Sequence, residues 1–366
     1  MSFFSGFPFA LVGFSLLFCA CEEPNSEPTQ QEIDQRKMIA SMVERQSANY
    51  AELQTESATL HMVSEAYCES KTDAGYIDLK AQWVTTFLRW GKAQWLFQGP
   101  VDEDDQFQRI EAWPTADSDR VMQSVEQILV IAPPDIDETY IANSPTQAQG
   151  FPAMEYLLFA AGKDALSARQ CDLFSAISSN LKSMTTRIHS DWSDVYVNLL
   201  INPNPGFGFS SSNESMNFLV NQFLNLLVVV KDKKLGAPLG FDKDGGRGNN
   251  APQASEAWIS KQSLSAIAAN IQALQELFKN EEMFGIDDYL VSLDKVAVSD
   301  EIQEKLSALS TQLDELQDMG FLLDVDIKND AFVSLYESVQ QLEIVVKGKM
   351  FPGIGATITF NFNDGD

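Results

Sequence analysis

A lone carboxylate inside an apolar run is the most chemically suggestive feature of this sequence. Glu155 lies within Gly150-Phe151-Pro152-Ala153-Met154-Glu155-Tyr156-Leu157-Leu158-Phe159. In a helix, residues three and four apart are neighbours, so Glu155 shares a face with Phe151, Leu158 and Phe159. A carboxylate on such a face is costly to bury unless something pairs with it. Two kinds of chemistry fit. One is a semi-buried carboxylate satisfied by Arg, Lys or backbone N–H groups. The other is a ligand or acid–base group in an interhelical cleft. From the residues alone the first is favoured, because structural ion pairs perturb carboxylates too.

Other reactive groups are scarce. His61 and His189 are the only histidines, and no His-Glu-x-x-His occurs, which excludes an ordinary zincin site. No Cys-x-x-Cys pair, Gly-x-Ser-x-Gly elbow, P-loop or dinucleotide fingerprint is present. Asp242-Lys243-Asp244-Gly245-Gly246 begins like a calcium loop, but Gly246 replaces the third ligand and Gln253 stands where the bidentate Glu belongs. Asp324-Val325-Asp326 fails likewise, with Leu335 at that place. Both read as ordinary loops. No residue is assigned a catalytic role.

The chain has 366 residues, with 52 acidic against 25 basic side chains and a net charge of −27. Nucleic acid is excluded as a partner, since its backbone demands Lys and Arg. Metal cations and basic partners are permitted, although net charge speaks first to solubility. Residues 3–20 are apolar and uncharged, and end in Leu17-Phe18-Cys19-Ala20-Cys21, which looks like a bacterial lipobox. The expectation is a signal peptide over 1–20, lipid on Cys21 and a tether over 21–30. The run is short for a membrane span, and a polar linker follows directly. No Lys or Arg precedes it, unlike an ordinary signal peptide. Glu22 after the cysteine fits outer-membrane sorting, with the chain held in the cell envelope and facing the periplasm. Cys68 and Cys171 remain in a compartment where disulfides persist. A bridge between them is the expectation, and two separate buried thiols the alternative.

Helices must position Glu155, because nearly every apolar pattern here has helical period. Residues 30–66 read as a long helix with one wet face. Residues 76–97 read as a second, where Trp83, Phe87, Trp90 and Gln94 are spaced by four, three and four, and Gly99-Pro100 stops it. Such a stripe is ordinarily core. A helix capped by Asp117 or Ser118 runs to 132 and is broken by Pro133-Pro134. The segment 151–161 follows and ends at Gly162. Helices are expected over 166–200, over 216–230 behind an Asn213 cap, over 255–279, along the seam Ile302, Leu306, Leu309, Leu313 and Leu316, and over 331–346. Ile358, Phe360 and Phe362 alternate with polar residues as a short extended tail. The expected fold is all-α: two antiparallel helix bundles packed side by side, over 31–162 and 163–366.

The run around Glu155 also resembles the Gly-x-His-x-x-Glu signature of the imelysin (peptidase M75-like) family, with Pro152 in the histidine place. Further resemblance is carried by Trp83 through Gly99-Pro100, by Ala112-Trp113-Pro114, by Lys234-Leu235-Gly236-Ala237-Pro238 and by Phe360-Asn361-Phe362-Asn363-Asp364-Gly365-Asp366. Cys68 and Cys171 sit where family members tend to carry cysteine. The resemblance implies two helical bundles with a site in the cleft between them. It implies an exported protein, often a lipoprotein, linked to iron or other metal uptake, and it brings a peptidase label. Glu155 matches the motif acid and Gly150 the motif glycine, while Gln94 stands where relatives often have Glu. The Pro152 and Gln94 changes both remove metal ligands. The expected site therefore has Glu155 as ligand anchor and sole metal-ligating candidate, Gln94 beside it, Trp83 and Trp90 as wall, and Lys234 as cationic neighbour. Iron or another divalent metal is the candidate cofactor, and an envelope or metal-uptake protein the candidate partner. The expected function is ligand binding without catalysis. The alternative is a metallopeptidase with an atypical ligand set, and a purely structural lipoprotein is a third reading.

Overall fold

The longest helix, α1 (Gln30–Ser70), is the axis on which the others are arranged. A capping box starts it, with Thr29 and Glu32 exchanging side-chain and backbone hydrogen bonds, and Lys71 ends it in the left-handed conformation. The computed structural model describes residues 27–114, 118–131, 135–160, 164–241, 248–318 and 326–359. The proposed leader, Cys19, Cys21, the Asp117 cap, the Ser118 side chain, Pro133-Pro134, Gly162, Asp242–Gly246, Asp324-Val325 and the residues from Phe360 onward lie outside them.

Beyond α1 come α2 (Asp73–Ala93), α3 (Gln106–Ile110), α4 (Ser118–Ile131), α5 (Glu138–Ala142), α6 (Gly150–Phe159), α7 (Ala168–Asp191), α8 (Val197–Ile201) and α9 (Ser212–Val228). The chain then forms α10 (Ala237–Leu239), α11 (Ser263–Phe278), α12 (Ile286–Ser292), α13 (Val296–Asp318), α14 (Asp330–Val345) and α15 (Phe351–Ile354). The all-α expectation holds: no strand is formed among the described residues. None of their helices is long and apolar enough to cross a membrane.

Helix α1 packs on α2 and α7 and also meets α9, α11 and α12; α11 packs on α2 and α13, and α13 on α14. Its sparse apolar pattern has a specific cause. Gln46 Nε2 donates to the Ala93 carbonyl at 3.0 Å and Asn49 Nδ2 to that of Lys92 at 3.3 Å. Buried amides of α1 thus satisfy the last carbonyls of α2, which have no partner within their own helix. The two histidines serve the α1–α7 seam. His61 Nδ1 lies 3.0 Å from Ser178 Oγ, and His189 Nδ1 lies 2.7 Å from Gln54 Oε1. Cys68 and Cys171 are disulfide-bonded across the same seam, with their Cα atoms 5.6 Å apart.

Several boundaries differ from expectation. Helix α2 stops at Ala93 rather than 97. The expected 166–200 helix is α7 and α8 joined by a wider π turn, Trp192–Tyr196. Ser211 rather than Asn213 caps α9, accepting from the Glu214 N–H. Helix α11 starts at Ser263, not 255, because Ala257 and Lys261 have φ of 50° and 62°. Left-handed residues cannot be carried inside a right-handed helix. The expected seam on α13 is buried at all five positions. The start of the tail is held by α9: Thr357 N–H donates to Asn217 Oδ1 at 2.7 Å and Thr359 N–H to Asn221 Oδ1 at 2.9 Å.

Candidate functional site

Five segments converge on one place. The C-terminal half of α2 brings Trp83, Phe87 and Trp90, with Gln94 just past its end. The segment after α3 brings Glu111 and Trp113, and α6 brings Phe151, Pro152 and Glu155. A π-helical continuation of α9, Val229–Gly236, supplies Lys233 and Lys234. The irregular stretch before α11 supplies Glu256, Trp258 and Ser260. Between them is a cavity of about 360 Å³, whose lining includes Trp83, Phe87, Trp113, Phe151, Trp258 and Glu155.

From Glu111 on the cavity wall a buried polar chain runs inward. Glu111 Oε2 accepts from Trp90 Nε1 at 2.5 Å and from Gln94 Nε2 at 2.7 Å. Gln94 Oε1 accepts from Lys234 Nζ at 2.9 Å and from Asn270 Nδ2 at 3.2 Å. Lys234 Nζ donates to Glu256 Oε2 at 2.6 Å, with both side chains at 2 % exposure or less. Gln94 is the hub because an amide donates and accepts at once: its oxygen takes the ammonium while its nitrogen serves a carboxylate. Burial pushes the Glu111 carboxyl well above the usual range, and the nearby Glu256 charge adds to this against the opposing pull of Lys234.

Glu155 stands on the cavity side of this chain. Its Oε1 accepts from Ser260 N–H at 2.8 Å and from Ser260 Oγ at 2.6 Å. No lysine or arginine pairs with it among the described residues. It is 6 % exposed, and burial pushes its carboxyl up to about 7 despite the Ser260 hydrogen bonds. Such a group stabilises the fold fully below its unfolded value of 4.5, and that contribution is lost as pH rises through about 7. Glu155→Gln should therefore flatten the pH dependence. Between about pH 5 and 8 the wild type should lose about 3 kcal/mol relative to the variant. Denaturant unfolding at a series of pH values measures this, and parallel profiles would refute it.

Of the expected site residues, Glu155 and Trp83 line the cavity. Trp90 does not; it sits behind, donating to Glu111. Lys234 is not the neighbour expected of Glu155, since its ammonium is taken by Glu256 and Gln94. The reason is geometric: the π-helical continuation turns Lys234 inward, while adjacent Lys233 lines the cavity. Sequence reasoning missed Glu111, Glu256 and Ser260. Glu111 directly precedes Ala112-Trp113-Pro114, a usable signal; Glu256 and Ser260 carried none.

A bare metal ion does not fit these residues. No group of three or more His, Cys, Asp or Glu side chains able to hold one exists among the described residues. Pro152 offers no donor, Ser260 already occupies one Glu155 oxygen, and the Lys234 ammonium stands between Gln94 and Glu256 where a cation would sit.

A family model described as Imelysin (Peptidase_M75) matches residues 46–344. No curated protein matches significantly. Among solved structures, an imelysin-like protein from Psychrobacter arcticum 273-4 is 20% identical with a TM-score of 0.78, covering 91% of this chain and 99% of that one. Another, from Parabacteroides distasonis ATCC 8503 and named as an iron-regulated protein A precursor, is 15% identical with a TM-score of 0.73, covering 90% and 97%. At these identities the structures support the fold alone.

Proposed function

Because the chain belongs to the imelysin family, we propose that it is a non-catalytic binding protein of the bacterial cell envelope, linked to metal uptake, with its ligand held in the cavity beside Glu155. The observation that carries this is the internal ammonium. Lys234 supplies, by a covalent side chain, the positive charge that a catalytic metal would bring to Gln94 and Glu256. A metal-activated water, which peptidase chemistry of this type needs, has no ligand set to hold it among the described residues. What remains is an aromatic-walled cavity bordered by Glu155 and Glu111, of which Glu111 is already bonded to Trp90 and Gln94, the make-up of a small-ligand site.

The link to metal uptake rests on the family and on one structural relative being named as iron-regulated. Any metal would then arrive as a complex, recognised through its organic shell, or be handled by an envelope partner protein. The lipobox-like run ending at Cys21 supports export, with lipid on that sulfur and Glu22 favouring the outer membrane.

Native mass spectrometry of protein purified from its own envelope tests the reading, alongside incubation with denatured substrates with and without zinc and iron. The expected result is a co-purifying small molecule that Glu155→Gln releases, no stoichiometric bare metal and no turnover. Metal-dependent turnover abolished by Glu155→Gln would instead establish the atypical metallopeptidase.

A further inference from the structure

We propose that the cavity beside Glu155 is selective for a small organic monocation, a protonated amine or amidine on an aromatic or apolar body. The inference rests on the preceding reading of this cavity as a ligand site and names the ligand's chemical class.

Two features of the lining point the same way. The first is its aromatic wall: Trp83, Phe87, Trp113, Phe151 and Trp258 all border the space. Aromatic faces carry the negative end of a quadrupole and attract cations. The wall already shows this on its protein side, where Lys234 Nζ lies 5.8 Å from the centre of the Trp113 ring. The second is the state of Glu155. The nearby Glu256 charge is met by Lys234, whereas Glu155 has no cationic partner among the described residues. Ser260 engages only Oε1, and no side chain among the described residues donates to Oε2. The Ile259 backbone is the other hydrogen-bond partner of Glu155, so every donor around this buried carboxylate among the described residues is neutral, and an incoming N–H cation would supply the charge that none of them brings.

The same lining argues against other classes. A neutral apolar ligand would fill the walls but leave Glu155 uncompensated. An anion would meet that carboxylate directly. A dication would find Glu155, a Glu111 already engaged by Trp90 and Gln94 and held toward its neutral form by burial, and, in Lys233, a like charge on the same lining.

The test uses the purified full-length chain and three probes of similar size: benzylammonium, benzyl alcohol and benzoate. Binding is followed by calorimetry and by the emission of the tryptophans that line the cavity. Benzylammonium should bind at least about tenfold more tightly than benzyl alcohol, and benzoate more weakly than either. Glu155→Gln, which keeps an acceptor for Ser260, should erase the ammonium preference. Lys233→Gln, at a partly exposed position, should strengthen benzylammonium binding by about two- to threefold. Equal or tighter binding of the alcohol or of benzoate overturns the cation assignment while leaving the cavity as a ligand site. So does an ammonium preference that survives in Glu155→Gln. If none of the probes binds, the assignment fails; an empty cavity in native mass spectrometry as well would remove the ligand-site reading with it.

Discussion

Gly150→Ala should abolish stable folding. Gly150 opens α6 with φ of 62°, a conformation that side chains other than glycine adopt at a cost. Space is the larger problem. A Cβ added there would lie 2.0 Å from the Ile110 carbonyl oxygen and 2.5 Å from that of Arg109. Both obstacles are backbone, so no rotamer change can relieve them. They belong to the segment that ends one residue before Glu111, and Gln149 next door is fixed by Arg109 and Asn180. The alanine would have to push α6 away from α3, and Glu155 would move with it. A loss above about 4 kcal/mol is expected, in the range reserved for severe steric or backbone faults. Soluble yield and thermal unfolding measure it. A variant within about 1 kcal/mol of wild type would show that the α3–α6 contact is not as close as described. The glycine of the motif thus has a structural role that no bound ligand is needed to explain.

Lys234→Met should also be severe, for an electrostatic reason. The ammonium is 1 % exposed and is the cation facing Glu256 Oε2 and Gln94 Oε1. Methionine fills similar space but leaves the acidic pair Glu111 and Glu256 buried without compensation. Removing one partner of a buried ion pair costs about 3–5 kcal/mol. The sign of the pH effect follows. Acid neutralises the carboxylate that the variant strands, so its deficit should shrink at low pH and grow toward alkaline pH. Adding Glu256→Gln should recover part of the loss, because the stranded charge is removed while an amide remains for Gln94. Denaturant unfolding of the single and double variants at acidic and neutral pH provides the measurement. A deficit independent of pH, or a double variant no better than the single, would show that the ammonium acts through packing.

The two variants separate causes that the motif runs together. Gly150 is required by backbone proximity, and Lys234 by charge. Glu155 is needed by neither, so changing it should leave the fold intact while altering its pH response and its ligand preference. That contrast is what makes the cavity open to test.

Much of this protein could be read from residue order. The spacing of apolar residues gave the helices, the seam on α13 and the face of α6 that holds Phe151 and Glu155. Helix boundaries were less legible where π turns or left-handed residues intervened, as before α11, because an amphipathic pattern does not reveal the backbone angles of its first turn. The partners of the polar residues were decided only by tertiary structure. Gln94 meets Lys234 from 140 positions away and Glu256 from 162, and Glu155 meets Ser260 from 105. Local periodicity says which side of a helix a residue occupies. It carries no information about which distant loop will close over that side, so it assigned Lys234 to the wrong carboxylate and left Glu111, Glu256 and Ser260 unseen.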